Sequence, residues 1–289
     1  MFSKTDSHRR LANDEPQAAP QSTAAGHAVS ASADIPVIEL RGVQKRFGAL
    51  QVLRGVDIAL REGQTTVIIG ESGAGKSVIL KHITCLLRPD AGQVFYRGTR
   101  IDTSSEKDLV EIRRHFGFLF QMGALFDSMT AGENVAFPLV EHTNRSKNQI
   151  ARIVADKLRM VGLDGIQNKR PAELSGGQRK RVALARAIAL EPDVVLYDEP
   201  TTGLDPVRAD VINELILKLA RELTITSVVV THDMTSAYKV ADRIIMLHEG
   251  LIIADGPPDA IRSSTDDRVR RFIEGHADPK DLAALHTKE

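Results

Sequence analysis

Gly70, Glu71, Ser72, Gly73, Ala74, Gly75, Lys76 and Ser77 form a glycine-rich run that ends in Lys-Ser. The spacing suits a chain of phosphates. Glycines let the backbone curl so that successive N–H groups converge on an anion. A helix that starts where the run ends adds its positive N-terminal end. Lys76 then supplies a point charge to the β- and γ-phosphates, and the Ser77 hydroxyl is placed to ligate Mg²⁺. A chance glycine-rich turn would satisfy this pattern too, so a second signal is needed. Asp198 and Glu199 provide it, closing the apolar run Val194, Val195, Leu196, Tyr197. Ligands in open parallel sheets sit at the carboxyl ends of the strands. Asp198 is expected to hold Mg²⁺, directly or through water, and Glu199 to act as general base on an attacking water.

The elements around these residues can be read from apolar patterning. Short β-branched runs at 65–69, 194–197, 227–230 and 244–247 suggest buried strands. Helical patterns at 76–87, 148–161, 177–189 and 207–223 lie between them. Alternation of this kind predicts an α/β fold, a parallel sheet covered by helices. The stretch 116–190 reads as mostly helical and as a subdomain inserted into that core. Residues 1–34 carry almost no large apolar side chains and read as a disordered extension without a secretory h-region. Residues 35–262 read as the folded body. The tail 263–289 has Val269, Phe272 and Ile273 at helical spacing, followed by Leu282 and Leu285.

Composition narrows the class further. The chain has 289 residues, with 38 Lys+Arg against 38 Asp+Glu, so the net charge is zero. That balance offers no basic stripe for nucleic acid. No run of about 18 apolar residues suggests a membrane-spanning helix. The single cysteine, Cys85, fits a reducing compartment and sits in an apolar stretch as core filler.

A second glycine pair separates this chain from other phosphate-loop proteins. Leu174, Ser175, Gly176, Gly177 and Gln178 precede a helix and form another anion site. The chain has only one phosphate loop, so this site is expected to serve another molecule's nucleotide. Here residues 37–260 resemble the nucleotide-binding subunit of ABC transporters. That resemblance implies a phosphate-loop NTPase (RecA-like) core with an inserted α-helical subdomain and an N-terminal antiparallel β subdomain. Phe47 stands where the family stacks an aromatic ring on adenine. Val78 completes the ATP contacts of the loop. Gln121 matches the glutamine that contacts Mg²⁺ and senses the transmembrane partner. Thr202, Gly203, Leu204 and Asp205 match the loop that crosses the dimer interface, with Asp205 among the ATP-contacting residues. His232 matches the histidine that contacts the γ-phosphate. The resemblance further implies a head-to-tail homodimer, an isologous arrangement in which each ATP lies between one phosphate loop and the other copy's Ser175, Gly176, Gly177 and Gln178.

Three stretches look like the Mce/Mla-type cassettes: Val78, Ile79, Leu80 and Lys81 after the loop serine, the run from Phe120 to Thr130, and Asn134 to Leu139 leading to Glu141, His142 and Thr143. Residues 267–275 resemble that subgroup as well. The subgroup implies an ATPase that drives phospholipid transport between bacterial membranes. Its partners would be an integral permease dimer, an Mce-domain periplasmic lipid-binding protein and a STAS-domain protein. It would lie peripherally on the cytoplasmic face of the inner membrane. Met122, Leu125, Phe126 and Met129 are expected to dock the permease, and the C-terminal tail to contact the second cassette or a partner. The alternatives are an importer cassette for amino acids or another small solute, a soluble cassette protein of translation or DNA repair, and a binding module with dead catalysis. The last conflicts with the presence of Lys76, Asp198, Glu199 and His232 together.

Overall fold

In the computed structural model, which describes residues 35–277, the chain opens with two long strands, β1 (Ile38–Phe47) and β2 (Leu50–Leu60), paired antiparallel. Next come β3 (Thr65–Ile69) and helix α1 (Lys76–Ile83), then β4 (Ala91–Tyr96) and the short β5 (Thr99–Arg100). Helix α2 (Glu106–Arg113) leads to β6 (Phe116–Leu119). Three helices follow: α3 (Ala131–His142), α4 (Lys147–Met160) and α5 (Gly176–Ala187). The remainder alternates: β7 (Val194–Asp198), α6 (Pro206–Leu223), β8 (Thr226–Thr231), α7 (Met234–Val240) and β9 (Arg243–His248). It closes with β10 (Leu251–Gly256), α8 (Pro258–Arg262) and α9 (Asp267–Glu274).

Among the described residues these strands form two sheets. One is antiparallel, in the order β2-β1-β4-β5, and matches the expected N-terminal β subdomain. The other has the order β10-β9-β3-β8-β7-β6 and is parallel except for β10. Side chains alternate faces along a strand, and here both faces are apolar. Ile68, Leu196, Val228, Val230 and Leu247 face one core with α1 and the antiparallel sheet. Val67, Ile69, Tyr197, Val229 and Met246 face a second core with the inserted helices, α6 and α7. Burial on both faces is why these strands read as continuous apolar runs rather than alternating ones.

Several boundaries depart from the sequence reading. The insertion does not begin as helix at residue 116. Phe116–Leu119 is the edge strand of the main sheet, in register with β7 from Phe116 opposite Val194 to Leu119 opposite Tyr197. Helix α1 ends at Ile83 rather than at residue 87, because Cys85 turns left-handed at φ 49°. The Leu87 N–H reaches back to the Lys81 carbonyl and Cys85 N–H to His82, a helix-ending motif usually built on glycine. Arg113 donates to the Thr84 and Cys85 carbonyls and so fixes that end. The tail helix α9 lies on its own cassette, with Val269 fully buried and Phe272 and Ile273 packed against the second core. Residues 1–34, Leu282 and Leu285 lie outside the described residues.

Candidate functional site

The parallel strands deliver their C-terminal ends to one edge of the sheet, and the chemistry-bearing residues follow directly from them. β3 runs into the glycine loop, β7 ends in Asp198, and Thr231 closes β8 just before His232. Gly70 is required where it stands: a Cβ there would lie 2.2 Å from the Leu247 carbonyl oxygen. Gly75 caps α1 at φ 106°, a left-handed conformation, and offers no side chain to the helix's first N–H groups.

A cavity of 810 Å³ opens at this edge. Of the expected residues, Phe47, Glu71, Ser72, Gly73, Gly75, Lys76, Ser77, Val78, Gln121, Glu199 and His232 line it. Gly70 and Ala74 of the same loop and Asp198 are not among the lining residues, but Asp198 accepts a hydrogen bond of 2.7 Å from the Ser77 hydroxyl. Phe47, at the end of β1, is 48% exposed, so its ring is open for stacking.

The Lys76 ammonium is almost fully buried and donates to the Gly70 and Glu71 carbonyls at 2.7 and 2.9 Å. Burial pulls its pKa below the ordinary value, opposed chiefly by the Glu199 and Asp198 carboxylates. Burial likewise pushes Asp198 upward, and the hydrogen bond from Ser77 works against that shift. Glu199 sits left-handed at φ 49°, with its carboxylate 3.0 Å from His232 Nδ1 and 3.8 Å from Lys76 Nζ. Thr202 donates its hydroxyl to the same carboxylate at 3.1 Å. Among the described residues, no cluster of three His, Cys, Asp or Glu side chains could hold a metal. The oxygen pair of Ser77 and Asp198 fits Mg²⁺, which takes few protein oxygens and completes its shell with phosphate and water.

Ser175, Gly176, Gly177 and Gln178 do not line this cavity. They form the first turn of α5, closed by a capping box: the Gln178 N–H donates to Ser175 Oγ at 3.2 Å, and the Ser175 N–H to Gln178 Oε1 at 2.9 Å. A Cβ at Gly177 would meet Arg208 of α6, so this turn lies beside the start of the helix that Asp205 caps.

Sequence reasoning overlooked several participants. Lys180 of α5 is buried and donates to the Glu199 and Pro200 carbonyls. Arg186, on the same helix, donates to the Gly123 and Ala124 carbonyls at 2.7 Å each. Asn134, fully buried on α3, accepts from the Phe126 N–H and donates to the Phe126 and Thr130 carbonyls. These two side chains hold the loop that follows Gln121. A cation within the apolar pattern of α5 was the available signal. Arg268, Arg271 and His276 from the tail also line the cavity, and nothing in the sequence pattern placed them there. Of the expected docking residues, Met122 and Phe126 are exposed, whereas Leu125 packs against the core.

Fold and site together define a phosphate-loop NTPase whose sheet edge carries a glutamate, a histidine and a serine–aspartate pair, with a helical insertion on one side. The chain belongs to the ABC transporter family, whose pattern it matches over residues 53–202, and it is an ATP-hydrolysing cassette of that family. It is 43% identical over 238 residues to the "Probable ribonucleotide transport ATP-binding protein mkl" of Mycobacterium leprae, spanning 82% of this chain and 69% of that protein. It is 40% identical over 242 residues to the intermembrane phospholipid transport system ATP-binding protein MlaF of Haemophilus influenzae, spanning 84% of this chain and 92% of that one. The fold superposes with a TM-score of 0.71 on the dimeric ATP-binding cassette MJ0796 in a post-hydrolysis state with ADP and Pi, at 35% identity, over 76% of this chain and 98% of the other.

Proposed function

We propose that the chain is the ATPase subunit of a transporter that moves phospholipid between membranes, and that two copies act as a head-to-tail pair. The observation that carries the enzymatic part is the Glu199 carboxylate, held 3.0 Å from His232 and 3.8 Å from Lys76 at the mouth of the glycine loop. In this reading the loop amides and Lys76 bind the β- and γ-phosphates. Ser77, Asp198 and Gln121 hold Mg²⁺, which when bound neutralises charge on the phosphoryl oxygens. Phe47 stacks on adenine, and Glu71, Ser72, Gly73, Ala74, Val78 and Asp205 complete the pocket. Glu199 orients a water in line with the γ-phosphorus. The new P–O bond forms as the bridging bond to ADP breaks, and the water's proton passes to the carboxylate or the departing phosphate. His232 keeps Glu199 aimed and faces the γ-phosphate. The second copy's Ser175, Gly176, Gly177 and Gln178 close the site.

The membrane partner is a permease. An apolar groove of 440 Å³ is lined by Phe116, Phe118, Phe120, Phe126, Phe137 and Pro138, beside the exposed Met122. It suits the apolar face of a short permease helix on the cytoplasmic side of the inner membrane. An Mce-domain lipid-binding protein and a STAS-domain protein complete the proposed assembly.

For the cargo, the phospholipid reading is supported by a relative matched over nearly its whole length, together with the three Mce/Mla-like stretches. The mycobacterial name points instead to ribonucleotides. The deciding experiment purifies the chain with its permease in mild detergent and measures ATPase stimulation by phospholipid and by ribonucleosides, alongside Glu199→Gln. Stimulation by phospholipid, with turnover of Glu199→Gln reduced about a hundredfold or more while ATP still binds, supports the proposal. Stimulation by ribonucleosides alone would overturn the cargo, and normal turnover by Glu199→Gln would overturn the base.

A further inference from the structure

We infer that Lys180 is a positioning residue through which α5, the helix whose first turn meets the second copy's ATP, sets the aim of Glu199 in its own site. The inference rests on the base and pairing roles proposed above. Its grounds are geometric. Lys180 lies two positions beyond Gln178 on α5, with only 6% of its surface exposed. Its ammonium donates to two successive carbonyls, Glu199 at 3.2 Å and Pro200 at 2.7 Å. A buried cation that takes main-chain carbonyls rather than a carboxylate is costly relative to an apolar side chain of the same length. Burial pushes its pKa down to about 8, against the opposing pull of the Glu199 carboxylate.

What that cation holds explains its presence. Glu199 is a non-glycine residue in the left-handed region, a conformation that persists only when its surroundings enforce it. Its N–H is tied to the Val230 carbonyl, and its side chain to His232 and Thr202. On the carbonyl side the hold is shared by the Thr202 N–H, at 3.3 Å, and Lys180, and of these partners Lys180 alone comes from α5. A shift of α5 when phosphate oxygens engage its first turn therefore pulls on the peptide that orients the base. Each copy would turn over only when the ATP facing its α5 is in place, which links the two sites in one direction per helix.

The test is a double-mutant cycle in the full-length chain, with ATPase turnover, KM for ATP and the Hill coefficient as readouts. Lys180→Met should lower kcat about tenfold or more, leave KM within about twofold, and bring the Hill coefficient toward 1. Lys180→Gln, which can still donate to a carbonyl and carries no charge, should recover about half of the lost turnover. Added to Glu199→Gln, Lys180→Met should cost nothing further, since it acts through that carboxylate. Wild-type turnover in Lys180→Met overturns the proposal, as does a full additional loss on the Glu199→Gln background. Should Lys180→Met fail to fold, the same cycle run with Lys180→Gln decides: additivity with Glu199→Gln overturns the link, and non-additivity supports it. Normal turnover by Glu199→Gln removes the base assignment and this link together. A dead Glu199→Gln beside an unaffected Lys180→Met removes only the link.

Discussion

Helices α1 and α5 both begin at glycine-flanked sequences that suit an anion, yet their first turns are completed differently. At α1 the cap is Gly75 in a left-handed conformation, and no side chain accepts from the helix's first N–H groups. At α5 Ser175 and Gln178 close a capping box, each satisfying the other's N–H. Four N–H groups at a helix start need partners. The first helix leaves its first N–H groups without a side-chain acceptor. The second ties up two N–H groups of its first turn, those of Ser175 and Gln178, with its own side chains. That difference fits a loop that grips ATP within one copy and a turn that engages it only when two copies close.

The comparison can be broken from either side. Lys76→Ala removes the charge from the open end and should lower turnover about a thousandfold, as for a lost electrostatic donor; a mild effect in a steady-state ATPase assay would dissolve the distinction. Gly70→Ala drives a methyl into the Leu247 carbonyl and should cost about 1–3 kcal/mol of stability, read by denaturant melts. Gly177→Ala meets only the flexible Arg208 side chain at 3.6 Å, so its melt should stay within about 0.5 kcal/mol of wild type. Its hydrolysis should nevertheless fall, because backbone approach to the second copy's ATP is blocked. Ser175→Ala deletes a cap that α1 never had and should cost about 1 kcal/mol, while ATP binding to the single copy, measured by fluorescent nucleotide titration, stays unchanged. The smallest effect concerns the far end of α1. Cys85 is buried and its thiol is pushed up to about 11 by burial, so almost no thiolate exists near neutral pH. Iodoacetamide should label it only after denaturation, and rapid labelling of the native chain would show that this end is open.

The sheet was legible because strands buried on both faces write unbroken β-branched runs, as at Thr65–Ile69 and in Val194, Val195 and Leu196. Residues 116–119 were misread because an edge strand four residues long, with Gly117 in it, carries too little pattern to separate it from the helices that follow. The end of α1 was placed too late for a related reason. Cys85 has no turn-forming character of its own, and its left-handed turn depends on Arg113, which reaches it from another helix. Lys180 and Arg186 escaped notice because their partners are main-chain carbonyls, which no side-chain motif encodes.

By itself the sequence determined the parallel core and the family, and it carries the residues proposed here for phosphate, magnesium and the base. Each of those depends on residue type at short spacing: glycines where a Cβ has no room, a lysine and a serine at fixed offsets, two acids at the end of an apolar run. Only the tertiary structure decided that Glu199 meets His232 and Lys76, that Lys180 of α5 reaches the Glu199 and Pro200 carbonyls, and that the tail returns to wall the same cavity. Those contacts join segments far apart in the chain, and their geometry follows from how strands and helices pack rather than from any local run of residues.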